Sequence, residues 1–205
     1  MLARSLISAH DSPESKFRRT IMPIYVAMLR GINVAGKRIV KMEALRKSME
    51  SLGFGYVQTY VQSGNLVFRT EERSLPSVSR KIEERLETDF GFSIPVCLKA
   101  LKDLEKVIVA NPFLQEAGIE PSALHVTFLS ELPSKAALPR LEAVAAAAAP
   151  DRMFAEGMQI YLHCPDGYGR TKLSNNVIES KLSVGATTRN WKTVNTLLAM
   201  AQQAE

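Results

Sequence analysis

The sequence predicts an α+β fold made of two ferredoxin-like subdomains of the βαββαβ type that pack together. Three observations indicate this fold. The chain has 205 residues, which suits one large domain or two small ones. Apolar patterns in the first half follow the order βαββαβ, and those in the second half follow βαββα. Because a unit of roughly 85 residues buries only a marginal core by itself, we expect the two units to pack against each other.

The predicted boundaries divide the chain into three segments. Residues 1–21 are polar, lack a sustained periodicity and are expected to form a disordered N-terminal extension. Asp11 and Glu14 argue against a transit peptide, which is rich in arginine and poor in acidic residues. Residues 22–110 then form the first ferredoxin-like subdomain, and residues 111–205 form the second.

The first strand and the first helix have clear apolar patterns. The continuous apolar run Ile24–Leu29 indicates a strand that is buried on both faces. After a loop at 31–40, apolar residues recur at helical spacing from Met42 until Gly53 stops the helix.

A hairpin, a helix and an edge strand complete the first half. The hairpin covers residues 56–69, with Ser63-Gly64 as a tight two-residue turn. A second amphipathic helix follows it. The strand at 92–99 contains Pro95, which cannot donate a ladder hydrogen bond, so we expect this strand at a sheet edge.

The second half is predicted to contain a half-buried strand, a hairpin and helices. Leu124, Val126 and Phe128 alternate with His125 and Thr127, which is typical of a strand with one buried face. The remaining patterns, with Pro139 at a helix start, predict helices at 101–110, 139–149, 177–182 and 191–198 and strands at 152–156 and 158–163.

Composition limits the classes of function. Hydrophobic residues make up 46% of the chain and charged residues 23%, as in an ordinary soluble globular protein. No apolar run approaches the ~18 residues of a membrane helix, so we expect no membrane partner. Two distant cysteines and three scattered histidines argue against a metal site, and no cofactor is expected.

Positive charge is concentrated in one stretch of the first half. The chain has a net charge of +5, and the stretch from Arg30 to Lys47 contains six basic side chains and one acidic side chain, Glu43. This concentration favours an anionic partner. For Arg46 and Lys47 the alternative is an ordinary solvated helix face.

The loop after the first strand resembles a phosphate-binding loop. The segment from Gly31 to Lys37 fits G-x-x-x-x-G-K, in which backbone N–H groups and a lysine hold phosphate. Arg38 stands where the Mg²⁺-binding serine or threonine belongs, and the chain turns back through a hairpin instead of forming a parallel sheet. The loop therefore predicts anion binding without a metal rather than nucleotide hydrolysis.

Topology places this loop and the hairpin turn at the same end of the sheet. In a βαββ unit both follow strands that point the same way, so their side chains should converge. The alternative for Ser63-Gly64 is that short polar residues form turns for local reasons. The predicted ligand-binding residues at this end are Arg30, Asn33, Lys37, Gln62, Ser63 and Asn65.

A glycine-containing loop in the second half adds three residues to the predicted site. Residues 166–170 lead into a helix, and a helix N-terminus suits an anion. We assign Thr171, Lys172 and Asn175 to the ligand on this basis. The alternative is that Thr171 or Ser174 only caps the helix.

The segment before the last helix adds two more residues, Arg189 and Asn190. Basic residues at a helix start oppose the helix dipole, and Lys192 lies in the first turn as well. We therefore expect a bound anion or a distant carboxylate near Arg189. The alternative is that Asn190 or Thr188 only caps the last helix.

Several segments of the chain carry motifs of one protein family. They are Tyr25-Val-Ala-Met-Leu-Arg-Gly-Ile-Asn-Val-Ala-Gly-Lys37, Val40-Lys-Met42, Thr59-Tyr-Val-Gln-Ser-Gly-Asn65, Asn111-Pro-Phe113 and Thr187-Thr-Arg-Asn-Trp191. Together they resemble the domain-of-unknown-function family 1697, over roughly residues 22–203. The family usually has a glycine at the position of Ala35. The resemblance implies a cytoplasmic bacterial protein with two ferredoxin-like subdomains, and it implies no activity.

These observations favour one function and leave two alternatives. The favoured function is binding of a small anionic or phosphate-bearing ligand at a basic, amide-rich cleft. One alternative is an RNA- or DNA-binding module, since ferredoxin-like sheets bind RNA. The other is an enzyme acting on a phosphorylated substrate, although the sequence contains no catalytic triad, reactive cysteine or carboxylate pair. The oligomeric state stays open.

Overall fold

Two four-stranded antiparallel sheets and six α-helices make up the described part of the protein, which has a mixed α+β fold. A computed structural model describes residues 22–205, so the N-terminal extension predicted at 1–21 lies outside the described residues. The order βαββαβ, followed by one helix, occurs twice along the chain. None of the helices described here has both the length and the hydropathy that crossing a membrane requires.

The first half contributes one sheet and three helices. Its elements are β1 (Ile24–Leu29), α1 (Met42–Ser51), β2 (Gly55–Tyr60), β3 (Asn65–Arg69), α2 (Leu75–Phe90), β4 (Val96–Ala100) and α3 (Leu101–Val109). The strand order is β2-β3-β1-β4, and every neighbouring pair is antiparallel. β4 is an edge strand, which confirms the prediction from Pro95.

The second half contributes the other sheet in the same strand order. Its elements are β5 (Leu124–Leu129), α4 (Leu138–Ala146), β6 (Arg152–Glu156), β7 (Gln159–His163), α5 (Asn175–Leu182), β8 (Ala186–Asn190) and α6 (Trp191–Gln203). The strand order is β6-β7-β5-β8, again antiparallel throughout.

Apolar side chains form three cores, which the two sheets separate. β1 contributes to two of them, because Val26 and Met28 face the second sheet whereas Ala27 and Leu29 face α1 and α2. The central core lies between the sheets and is completed by α3 and α6. The third core lies between the second sheet and the pair α4 and α5. All six residues of β1 are buried, as its continuous apolar run predicts.

The predicted order βαββα for the second half is wrong, because the strand β8 lies between α5 and α6. Its sequence, Ala-Thr-Thr-Arg-Asn, contains no apolar run. β8 pairs with β5 at five successive positions, and this tertiary pairing outweighs the weak local pattern. Thr187 and Arg189 therefore belong to a sheet and not to a loop.

The burial of β5 and the bounds of two other elements also differ from the predictions. All six residues of β5 are buried, because His125 stacks on Tyr168 and Thr127 hydrogen-bonds to Thr188 on the face that the sequence predicts to be exposed. β4 begins at residue 96 rather than 92, directly after a proline that cannot donate to the ladder. α4 ends at residue 146 rather than 149.

The turn between β2 and β3 has four residues rather than two. β2 ends at Tyr60, whose register partner is Asn65. Within the turn, Gly64 has a φ of 71°, and its carbonyl accepts the Leu29 N–H at 2.8 Å. A Cβ at position 64 would lie 2.6 Å from Cδ1 of Ile32 and 2.8 Å from Cβ of Leu29. Both the backbone conformation and the close approach of β1 therefore require glycine here.

Candidate functional site

Arg189 links the two sheets at the centre of the predicted site. It lies on β8, and its side chain crosses to the first sheet. Its five N–H groups are enough for five hydrogen bonds, and all five are made. The acceptors are neutral oxygens at up to 3.1 Å: Oδ1 of Asn65, Oγ1 of Thr187, and the carbonyls of Leu29, Ser63 and Thr188.

No carboxylate of residues 22–205 forms an ion pair with this buried cation. Arg189 is only 9% exposed, and it takes part in no ion pair within residues 22–205. Burial lowers the pKa of Arg189 to about 10, because desolvation disfavours the charged form. The guanidinium is still protonated at neutral pH, so it leaves a positive charge between the two sheets.

Asn65 connects the hairpin turn to this arginine. The residue is fully buried, and its Nδ2 donates to the carbonyl of Tyr60 at 3.1 Å and to Oγ of Ser63 at 2.9 Å. Its Oδ1 accepts from Nε of Arg189. The predicted neighbours Ser63, Asn65 and Arg189 are thus in contact, but the polar groups that join them are used within the protein.

Arg30 crosses between the halves in the opposite direction, from the end of β1 to α5. Its Nε donates to Oε1 of Glu179 at 2.6 Å, and its Nη2 donates to Oε2 of Glu179 and to Oδ1 of Asn176. About a quarter of each side chain in this ion pair is accessible, 25% for Arg30 and 24% for Glu179. Glu179 also accepts the Ala186 N–H at 2.8 Å. Only Nη1 of Arg30 stays outside these bonds.

The loop that resembles a phosphate-binding loop is a short β-hairpin. Lys37 N–H donates to the Val34 carbonyl at 2.9 Å, and Asn33 N–H donates to the Arg38 carbonyl at 3.1 Å. Ala35 and Gly36 at the turn have φ values of 48° and 74°, the combination that a type I′ turn requires. The glycine of the G-K pair therefore shapes a turn, and the loop does not wrap around a phosphate position.

Asn33 fixes this hairpin to the turn of the first sheet. Its Nδ2 donates to the carbonyls of Val40 and Gln62 at 2.9 and 2.8 Å, and its Oδ1 accepts the Val40 N–H at 2.8 Å. The predicted proximity of the loop and the turn is thus present, while the Asn33 amide is occupied. The side chains of Lys37 and Gln62 are exposed beyond it.

Most basic side chains of the stretch from Arg30 to Lys47 have a partner. Arg38 lies over the ring of Phe92 at 5.3 Å, and Lys47 pairs with Glu43 at 2.9 Å. Nε of Arg46 lies 3.9 Å from Oε1 of Glu50, one helical turn later. Three of the six basic side chains in this stretch therefore have a carboxylate partner: Arg30, Arg46 and Lys47.

The glycine-containing loop of the second half forms a separate polar network. Thr171 Oγ1 accepts the backbone N–H of residue 173 at 3.0 Å, and Lys172 Nζ donates to the carbonyl of residue 147 at 3.1 Å. Asn175 Oδ1 accepts from Thr188 Oγ1 at 2.7 Å, and Tyr168 donates to the same hydroxyl. These residues face α4 and α5, so the structure does not bring them to Arg189.

Asn190 caps α6, with Oδ1 accepting the Thr193 N–H at 2.7 Å. The carboxylate expected as one alternative near Arg189 is not found among residues 22–205. Because the Arg189 side chain leaves the helix start and enters the first sheet, neutral oxygens satisfy it. Lys192 is exposed.

A small cleft lies between β4 and the first residues of β8, beside Arg30. It has a volume of about 70 Å³, whereas sites for drug-sized ligands have about 300–1,000 Å³. Ser130 and Thr187 line it, and their hydroxyl oxygens accept N–H bonds from Gly185 at 2.9 Å and from Arg189 at 2.8 Å. Each hydroxyl keeps a hydrogen that can be donated to a ligand.

Sequence reasoning missed Lys99 and Cys97 near this cleft, and Glu179 as the partner of Arg30. Lys99 is 9% exposed, and its Nζ lies 5.9 Å from the ring centroid of Phe128, which lines the cleft. Burial raises the pKa of the Cys97 thiol, which keeps it protonated and unreactive. One pattern in the sequence indicates that Lys99 lies near the cleft. It comes two residues after Cys97 in the predicted edge strand, and residues two apart in a strand lie on the same face.

Histidine and metal chemistry contribute nothing further to this site. Burial lowers the pKa of His125, whose Nδ1 lies 3.3 Å from the Ala123 carbonyl. Among residues 22–205, no cluster of three or more His, Cys, Asp or Glu side chains is placed to hold a metal ion.

The protein is thus of a class of α+β protein in which two sheets have the same strand order. Hydrogen bonds of Arg30 and Arg189 join the two halves. The chain belongs to the family described as protein of unknown function (DUF1697), whose model matches residues 22–161. The conserved bacterial protein SP0830 from Streptococcus pneumoniae is similar in structure, with a TM-score of 0.66 and 23% sequence identity over 88% of this chain and 99% of that one. That likeness shows the fold alone. None of the curated proteins matches the chain.

Proposed function

We propose that the protein binds a small anion, or one anionic group of a larger ligand, in the cleft between β4 and β8. The observation that carries this proposal is the unbalanced positive charge between the sheets. Arg189 and Lys99 are each 9% exposed, and within residues 22–205 neither belongs to an ion pair. A buried charge without a counter-charge is unfavourable, and a bound anion reduces that cost.

The donors around the cleft match a group such as phosphate or carboxylate. Nη1 of Arg30 and the hydroxyls of Ser130 and Thr187 are the groups that can donate. Arg189 itself acts through its charge, because its N–H groups are all used. Glu83 also lines the cleft, but its Oε1 is held by the Val96 N–H at 2.9 Å.

The volume limits the ligand to one small group inside the cleft. Two or three charge-assisted hydrogen bonds at about 1.5–3 kcal/mol each give affinities between about micromolar and millimolar before ordering costs. We therefore expect weak binding of a free anion and stronger binding of a ligand whose remaining part lies outside the cleft.

Calorimetric titration with inorganic phosphate, sulfate and acetate tests this proposal. Lys99→Met and Thr187→Val are expected to weaken binding by about tenfold each. Lys41→Met removes an exposed cation outside the cleft and serves as the matched control, which should leave binding unchanged. Absence of any binding at about 10 mM anion, or an equal effect of the control, overturns the proposal.

We also infer that residues 22–110 and 111–205 are two ferredoxin-like subdomains. Support comes from the order βαββαβ in each half and from the equivalent strand orders β2-β3-β1-β4 and β6-β7-β5-β8. The cytoplasmic location that the family resemblance implies stays a prediction.

The two alternative functions receive less support. Ferredoxin-like RNA binders need an open sheet face, whereas the central strands β1 and β5 are buried on both faces. An enzyme needs a proton-transfer group, and Glu83, the carboxylate in the cleft lining, is held by a backbone N–H. A nucleic-acid binding assay at two salt concentrations would favour the first alternative if affinity fell steeply with salt.

A further inference from the structure

Each sheet has two edge strands, and at β4 and β8 side chains of a neighbouring helix bind backbone groups at the start of the strand. Val96 N–H of β4 donates to Oε1 of Glu83 at 2.9 Å, and its carbonyl accepts from Oγ of Ser79 at 3.2 Å. Ala186 N–H of β8 donates to Oε1 of Glu179 at 2.8 Å. Side chains of α2 and α5 thus cover these two edges and hinder pairing with another chain.

The remaining edges, β2 and β6, differ in regularity. β2 shifts register between Gly55 and Gln58, and Tyr56 has a φ of 51°, an irregularity that disfavours further pairing. β6 pairs with β7 at five successive positions without a shift. Within residues 22–205, no side chain hydrogen-bonds to the backbone of β6. β6 is therefore the edge strand that is open to a further strand.

The side chains of β6 are self-complementary. Arg152, Phe154 and Glu156 are exposed on one face, while Met153 and Ala155 pack against the core beneath α4. Phe154 at the middle is 45% exposed, a large apolar side chain on an open edge. A second copy of β6 that runs antiparallel about Phe154 places each arginine opposite the glutamate of the other copy, and the two phenylalanines opposite each other.

We propose that two copies of the protein pair through β6 and form a two-fold symmetric dimer with a continuous eight-stranded sheet. The exposed phenylalanine and the opposite charges at the two ends of the strand favour a second copy over any other partner. Arg152 binds Glu116 through Nη2 at 2.7 Å, and its other nitrogens stay available for Glu156 of the second copy. A five-residue strand pair buries less than the ~1,200 Å² of a standard interface, so the dimer is weak and depends on concentration.

Sedimentation equilibrium of the full chain tests the dimer between about 1 and 500 µM. Arg152→Glu and Glu156→Arg each create two pairs of like charges across the interface and should weaken dimerisation at least about tenfold. The double variant Arg152→Glu with Glu156→Arg restores opposite charges and should return the dissociation constant to within about threefold of the original. Phe154→Asp should abolish the dimer.

Leu132→Asp changes another exposed apolar residue outside β6 and is the matched control, which should dimerise normally. Circular dichroism and the melting temperature of every variant show whether its monomer is folded. The proposal is overturned if the original chain is monomeric throughout the concentration range. It is also overturned if the folded single variants of β6 dimerise normally or if the double charge exchange fails to restore the dimer.

Discussion

Two arginines cross between the halves of the protein, and they differ in depth and in partners. Arg189 is buried and donates only to neutral oxygens, whereas Arg30 is a quarter exposed and donates to the carboxylate of Glu179. At the exposed junction, the carboxylate of Glu179 balances the positive charge of Arg30. At the buried junction, every N–H group of Arg189 has an acceptor, but none of these acceptors carries a negative charge. The buried junction should therefore dominate stability, and it alone leaves positive charge for a ligand.

Loss of the buried junction should have the largest effect on stability. Arg189→Met leaves the Asn65 amide oxygen and the carbonyls of Leu29 and Ser63 without their donor. Because each unsatisfied buried acceptor costs about 1–3 kcal/mol and some regain water, we expect a loss of about 3–5 kcal/mol. Urea unfolding measures this loss.

Arg189→Lys separates charge from geometry in the same assay. Lysine keeps the charge but cannot reach five acceptors in two directions, so its loss should be close to that of the methionine variant. Stability near that of the original protein in either variant would show that the hydrogen bonds of Arg189 contribute little.

Gly64→Ala should have the next largest effect, since the turn at Gly64 holds the carbonyl of Ser63 against Arg189. The new Cβ would overlap Leu29 and Ile32 at a φ of 71°, and we expect a loss of about 2–4 kcal/mol. Gly36→Ala is the matched control, because φ is 74° there but nothing lies within 4 Å. Equal losses for the two variants would mean that backbone strain alone matters.

Breaking the exposed junction should cost less. Arg30→Met is expected to lower the unfolding free energy by about 1 kcal/mol, and the difference should shrink at high salt. A double-mutant cycle with Glu179→Gln isolates the pair, since Glu179 also accepts the Ala186 N–H. A coupling energy as large as the Arg189→Met loss would contradict the comparison of the two junctions.

A substitution at Ala35 should have the smallest effect on stability, because this residue is not a partner of Arg30 or Arg189. Ala35 has a φ of 48°, which costs a residue with a Cβ about 1–2 kcal/mol. Ala35→Gly should therefore stabilise the protein by about 0.5–1 kcal/mol after the entropy cost of glycine, measured by melting temperature. A decrease in melting temperature would argue against the type I′ turn.

Much of the fold can be predicted from the sequence because most elements have their own apolar pattern. The run in β1 and the stop at Gly53 give element positions within one or two residues of those observed. β8 could not be predicted, because Ala-Thr-Thr-Arg-Asn becomes a strand only through its pairing with β5. Burial of His125 was not predictable either, since it depends on a ring from another loop.

The sequence predicts which polar residues come together between the halves, but Arg30 is the one predicted ligand-binding residue that lines the cleft between β4 and β8. Topology brings Ser63, Asn65 and Arg189 into contact, although their separation in sequence exceeds 120 residues. The partner of Arg30, 149 residues away, follows from the packing of α5 on β8 and has no local signal. Polar side chains that lie close together can hydrogen-bond to one another or to a ligand. The sequence does not distinguish these two possibilities.

The last helix determines where a usable fragment of this chain can end. Trp191, Val194 and Leu197 of α6 fill the central core, and Arg69 of the first sheet donates to the carbonyl of Ala204. A piece cut at residue 161, where the family match stops, would expose the inner faces of both sheets. During synthesis, the space between the sheets can close only once α6 has left the ribosome.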